Sequence, residues 1–179
     1  MPNKVTVATY LRGEETTQPR ELVYGFVREP PAPTYDHQAV VTHLAALLDR
    51  HVRRRRLGRV SVAPVDVVLD RKRALVVQPD LVFVSAARAG IATDRVWGAP
   101  DLVVEVLSMG TARRDRTVKL DWYRQYGVRE CWLVDPIGRS VDVCVLARPS
   151  TEARHCSDVD RVRSTVLPGL RLAVADLFD

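Results

Sequence analysis

Asp101-Leu102-Val103-Val104-Glu105-Val106-Leu107 is apolar on both parities apart from one glutamate, and from Thr111 the spacing turns helical through Val118, Trp122 and Tyr126 to a stop at Gly127. A strand of that composition is covered on both faces. A helix that follows it and leads to a second apolar run, Cys131 to Val134, makes the two strands parallel neighbours joined by a crossover. Beyond the turn Asp135-Pro136-Ile137-Gly138 a further strand is expected over Ser140 to Leu146.

Reading toward the N-terminus, Arg59 to Leu69 and Leu75 to Val84 are rich in Val and Leu and flank the charged turn Asp70 to Arg73, so two strands are expected, with Pro64 marking a bulge or an edge. Val40, Val41, Leu44, Leu47, Leu48 and Val52 form one helical stripe that starts from Asp36 as N-cap. Arg53 to Arg56 close that helix where the macrodipole favours cations, and Gly58 reads as its C-cap. The arginine run is better read as a solvated helix end than as a phosphate-binding patch. Glu21 to Glu29 reads as a hairpin about Gly25, ahead of Pro30, Pro31 and Pro33. Ala147 to Arg161 is polar and aperiodic and is expected to be a loop or an irregular hairpin region, after which Val162 to Phe178 holds a last strand and a short helix. The fold class is therefore α/β: a mixed central sheet flanked by two main helices, with an N-terminal hairpin. One domain is expected over residues 1–179, with 1–19 as a lead-in and 147–161 as the irregular region.

Hydrophobic residues make up 46% of the 179 residues and charged residues 27%, which excludes a disordered chain. A net charge of +5 and a pI near 9.4 favour an anionic partner without specifying one. Cys131, Cys144 and Cys156 form no metal or disulfide pattern, and no apolar run has the length of a signal peptide or membrane span, so a cytoplasmic protein with no membrane partner is expected.

Glu105 is the anomaly in the central strand, because an ionised carboxylate there needs a cation or hydrogen-bond donors. Asp80 raises the same question between Gln78-Pro79 and the apolar Leu81 to Val84. Two acids on neighbouring strands could converge on a divalent metal. Equally, Asp80 reads as a turn cap and Glu105 as the partner of a core arginine. His43 and His51 lack the four-residue spacing of helical zinc sites, and Trp97, Trp122 and Trp132 read as core or rim residues.

Several further motifs occur in a fixed order. Gln78-Pro79-Asp80 comes first, followed by Ala99-Pro100-Asp101 through Glu105 to Ser108. Thr111 through Asp115-Arg116 to Lys119-Leu120 and Tyr123 is next, and Gly127-Val128-Arg129-Glu130-Cys131-Trp132-Leu133-Val134-Asp135-Pro136 is last. With Arg20-Glu21-Leu22-Val23, Gly25 and His37-Gln38, the chain resembles the Uma two family of restriction-endonuclease-like proteins, of the PD-(D/E)XK nuclease superfamily, over nearly its whole length. The resemblance implies a restriction-endonuclease-like core in which Asp80, Glu105 and the Val106 carbonyl bind Mg²⁺ or Mn²⁺. The superfamily's lysine position, two residues after the second acid, is Leu107 here, and Lys119 on the following helix matches the position that replaces it. Glu21 resembles an acidic residue that completes the site, and His37 joins the candidate catalytic residues from the start of the first helix. Tyr24 and Phe26 depart from the family, which often has acids there. The implied activity is metal-dependent hydrolysis of DNA phosphodiesters by activated water, with no organic cofactor and with a homodimer as a natural way to address both strands. The rival is a DNA-binding or regulatory module that keeps the fold and does not cut.

Overall fold

The computed structural model describes residues 4–13, 18–108, 110, 112–147 and 153–178. Thr111 and residues 148–152, on which parts of the expected helix and loop fall, lie outside them. After the short helix α1 (Val7–Leu11) come β1 (Glu21–Val23) and β2 (Phe26–Arg28), antiparallel about a turn in which Tyr24 (φ 51°) and Gly25 (φ 92°) are both left-handed, as a tight hairpin requires. The long helix α2 (Tyr35–Arg55) is followed by β3 (Gly58–Val62), β4 (Val67–Asp70), β5 (Leu75–Val77) and β6 (Leu81–Ser85). Next come β7 (Val96–Trp97) and β8 (Leu102–Val106), then the crossover: α3 (Ala112–Arg114), a π-helical turn (Asp115–Lys119) and α4 (Leu120–Tyr126). The chain continues through β9 (Glu130–Asp135), β10 (Ser140–Val145), β11 (Ala153–Cys156), β12 (Arg161–Val162) and β13 (Leu172–Ala173) to a 3₁₀ turn at Ala175–Leu177.

Six strands in the order β11-β10-β9-β8-β6-β3 form the central mixed sheet, in which β8 and β9 are parallel, as the crossover demands. Period-two alternation splits its side chains between two cores. Leu102, Val104, Val106, Trp132 and Val134 face α2 and the C-terminal segment; Val103, Leu107, Cys131 and Leu133 face the opposite layer, which holds α4. Glu105 shares the second face, so its carboxylate points toward the crossover. On α2, Leu44, Leu48 and Val52 are fully buried along the expected stripe. Among the described residues no helix is long and apolar enough to cross a membrane.

A second sheet, β2-β1-β5-β4-β7, is the main feature that the sequence reading did not anticipate. Each of the two strands expected between Arg59 and Val84 is in fact two. The chain bends at Ala63-Pro64 and at Gln78-Pro79, so that β3 and β6 pair in the central sheet while β4 and β5 pair in the second. A proline cannot donate to a ladder, and two prolines at facing positions break both strands at one level. The Ala63 N–H still donates to the Asp80 carbonyl at 2.9 Å, which places Asp80 at the fork between the sheets. The outer face of the second sheet buries Val68, Val76 and Leu22 against Val7 and Tyr10 of α1, so the expected lead-in is partly core.

Smaller expectations also shift. Thr34, not Asp36, caps α2: its Oγ1 accepts from the His37 N–H at 3.3 Å, and Asp36 sits within the first turn. The helix ends on Arg56 in the left-handed region, while Gly58 opens β3 where a Cβ would stand 2.1 Å from the Val84 carbonyl oxygen. Within the expected irregular region, β11 pairs with β10 from Val141–Cys156 to Cys144–Ala153. Its polar sequence gave no signal because this edge strand buries only Cys156.

Two fully buried acids hold the frame. Glu130 accepts from the Trp132 indole N–H at 2.8 Å and the Thr165 N–H at 2.7 Å, tying the C-terminal segment to the sheet. Asp101 accepts from the Ser85 N–H at 2.8 Å and from Arg129 and Arg88 at 3.1 and 3.3 Å. Burial pushes the Asp101 carboxyl up, but the Ser85 donor and the two guanidiniums outweigh it and hold it below the usual range. A depressed folded pKa gives stability that is present above the unfolded value and is lost as pH falls through the folded one. Asp101→Asn should therefore lower unfolding stability at pH 7 by about 1–3 kcal/mol in urea titrations, and the deficit should shrink as the pH is taken below about 4.

Candidate active site

Each candidate residue arrives on a different element. Glu21 comes from β1 in the second sheet, His37 from the first turn of α2, Asp80 from the fork, Glu105 from β8 and Lys119 from the π-helical turn. All five, together with Val106, line a single cleft of about 850 Å³.

The Lys119 ammonium, almost wholly buried, lies 3.0 Å from Glu105 Oε1, 3.1 Å from Glu21 Oε1 and 3.6 Å from Asp115 Oδ1. Burial opposes its charge, but Glu105, Glu21 and Asp115 outweigh that and hold it protonated well above the ordinary lysine range. The Tyr123 hydroxyl donates to the same Glu105 oxygen in a short hydrogen bond. Burial pushes the Glu105 carboxyl up to about 8, aided by Asp115 and Asp80 and opposed by Lys119 and Tyr123. At Glu21 the order of strength reverses: burial raises its pKa, and the cations Lys119 and Arg114 together bring it below the usual value. Asp80 is oriented from two sides, by His37 Nε2 at 3.1 Å on Oδ1 and by the Val106 N–H at 2.7 Å on Oδ2.

Three participants, Asp115, Tyr123 and Arg114, receive no role from the sequence alone, whereas Lys119 does. Asp115, Lys119 and Tyr123 recur every four residues, a spacing that places them on one side of a helix and was the available signal. The π-helical turn makes the convergence possible, since an inserted residue re-aims the side chains of a helix locally and is common at functional sites. Arg114 lies in the preceding turn: its Nη1 donates to Glu21 Oε2 at 2.7 Å, its guanidinium stacks 5.3 Å from the Trp122 ring centre, and its buried Nη2 has no hydrogen-bond partner among the described residues. His37 Nδ1 is likewise buried with no partner among the described residues.

The other residues weighed in the sequence have structural employment. Tyr24 meets the Trp122 ring edge-on at 5.8 Å, and Phe26 lies beneath Lys4, so the two family departures serve packing. His43 and His51 face backbone carbonyls of Leu177 and Pro168, and Trp132 is core. Asp135 caps its turn through the Ile137 and Gly138 N–H groups.

Among the described residues, no group of three His, Cys, Asp or Glu side chains is arranged to hold a metal ion. The donor chemistry nevertheless suits a hard divalent cation. Asp80 and Glu105 offer carboxylate oxygens, and the Val106 carbonyl points to the same side of its strand as the N–H that reaches Asp80. Mg²⁺ is commonly held by one or two carboxylates, with water and substrate phosphate completing its shell. The charge balance agrees: among the described residues the cleft lining sets Glu21, Asp36, Asp80, Glu105 and Asp115 against Arg114, Lys119 and Arg139.

Comparison with known proteins adds three findings. A search among curated proteins gives no match. Among solved structures, the chain superposes with a TM-score of 0.81 on a crystal structure from Anabaena variabilis ATCC 29413 described as a "putative nuclease belonging to DUF820". The alignment covers 97% of both chains at 22% identity, a likeness of fold. The family model Uma2, described as "Putative restriction endonuclease", matches residues 7–175, and on that match, which takes in Glu21, His37, Asp80, Glu105, Val106 and Lys119, the chain belongs to the Uma2 family.

Proposed function

We propose that the chain is a divalent-metal-dependent nuclease that hydrolyses DNA phosphodiester bonds by direct attack of water, with no covalent intermediate. What supports this reading is the convergence of Glu21, His37, Asp80, Glu105 and Lys119, from five elements and two sheets, on one cleft whose donors suit Mg²⁺ or Mn²⁺. When bound, the ion supplies an activated water and charge stabilisation on the phosphoryl oxygens.

Asp80, Glu105 and the Val106 carbonyl would hold it. His37 and the Val106 N–H keep the Asp80 carboxylate in a fixed orientation, and Tyr123 does the same for Glu105. Lys119 is a permanent cation in this setting, so it acts as a donor that aligns water or offsets negative charge building on the phosphate, and not as the base. Glu21 and Asp115 hold that ammonium in place, and Arg114 in turn holds Glu21.

The partial metal shell favours a second reading, in which the cleft binds DNA and leaves it uncut. Cleavage separates the two. On DNA with Mg²⁺ or Mn²⁺, the protein should cut, EDTA should stop it, and Asp80→Ala and Glu105→Ala should each lose at least about 100-fold in rate while keeping their circular dichroism. Salt-sensitive binding without metal-dependent products would favour the non-cutting module.

Lys119 gives a sharper measurement. Lys119→Met should lower kcat by about 100-fold or more with KM changed little, since the ammonium's work lies at the transition state. Tyr123→Phe, which removes one donor to Glu105, should cost about 3- to 30-fold. A raised KM with kcat unchanged in Lys119→Met would make the lysine a substrate-binding group only.

A further inference from the structure

We infer that the substrate reaching this cleft is a single strand, with its phosphodiester on the charged floor and its bases against an apolar rim. This inference deepens the nuclease reading and rests on it for the identity of the polymer.

Depth is the first observation. Glu21 and Glu105 are each 3% exposed and Lys119 6%, so a phosphate meets them only by entering the cleft. Size is the second: a sphere of 850 Å³ is about 12 Å across, no wider than the major groove of B-DNA and narrower than the duplex that carries it. Volumes of about 300–1,000 Å³ enclose ligands of small-molecule size, which for a polynucleotide means a few nucleotides of one strand.

The rim supplies the third. The Pro30, Pro31 and Pro33 strap and the side chains of Pro136, Ile137 and Phe178 all line the cleft. Ile137 is 78% exposed, and the backbone that presents it is fixed. Its own N–H and that of Gly138 bond to Asp135 Oδ1 at 3.0 and 2.9 Å, and Arg116, from the turn that carries Lys119, reaches Asp135 Oδ2 at 3.4 Å. Apolar side chains so presented pack on unstacked base faces, which a single strand offers freely and a duplex only after the unfavourable unstacking of each step. Ile137 therefore acts as a positioning residue for the base beside the reacting phosphate.

The test uses fluorescence anisotropy with Ca²⁺ in place of Mg²⁺, on a labelled single-stranded oligonucleotide and on the same sequence as a duplex closed by a hairpin loop at each end. The single strand should bind at least tenfold more tightly, and Ile137→Ser should narrow that margin by about fivefold while leaving the closed duplex unchanged. With 2-aminopurine in the strand, the wild-type protein should change its fluorescence more than Ile137→Ser does. Closed duplex bound as tightly as single strand, or neither form bound, overturns the inference. A single strand bound selectively but left uncut in Mg²⁺ would instead overturn the nuclease reading and leave this one standing.

Discussion

A buried ammonium is the constraint around which this molecule is arranged. Lys119 has lost its water, and a lone cation in that position would be untenable unless carboxylates replaced the solvent. Glu21, Glu105 and Asp115 do so, and they come from the second sheet, the central sheet and the crossover. The two sheets and the crossover are thereby registered against one another through one nitrogen atom. Buried ion pairs of this kind contribute little net stability compared with an apolar core of the same shape. Their presence across three elements is easier to understand as the cost of a working site than as a device for folding.

The fork between the sheets makes that arrangement affordable in structural terms. A single uninterrupted sheet would bury both faces of the strand preceding Leu81 and leave Asp80 in an apolar layer. Because Pro64 and Pro79 break two paired strands at one level, the layers part, and the gap exposes backbone and carboxylate to the cleft instead of to the core. Asp80 sits at the opening, with His37 from α2 on one side and β8 on the other. Secondary-structure breakers are usually read as punctuation, but here they create the volume in which polar groups can be satisfied.

That view also explains what the sequence disclosed and what it withheld. Glu105 stood out because it interrupts a run buried on both faces, a purely local conflict that any reader of the chain can see. The parallel pair β8 and β9 was legible for the same reason, since a crossover helix leaves few topological options. The second sheet was not, because strands of three or four residues shared between two sheets carry too little periodicity to show where pairing changes. Lys119 and Glu21 have unremarkable neighbours in sequence, and their roles came through family resemblance. Arg114 and Tyr123 gained partners only through tertiary contact. The π-helical turn that aims Asp115 and Lys119 together has no composition of its own to betray it.

The charge of the chain and the charge of the cleft point in opposite directions, and the contrast bears on how a polyanion could be handled. The molecule as a whole is basic, with its arginine run at the far end of α2, whereas the cleft floor holds more carboxyls than cations. Long-range attraction and local repulsion of phosphate then coexist, so approach is favoured and seating is not. A hard cation on the floor would reverse the local sign at the point where Asp80 and Glu105 face each other across neighbouring strands. Under that condition metal and substrate phosphate would bind cooperatively, each completing the charge balance that the other needs, and affinity for either alone would stay low. A site of this kind would be quiet until both arrived, a property that suits the proposed nuclease.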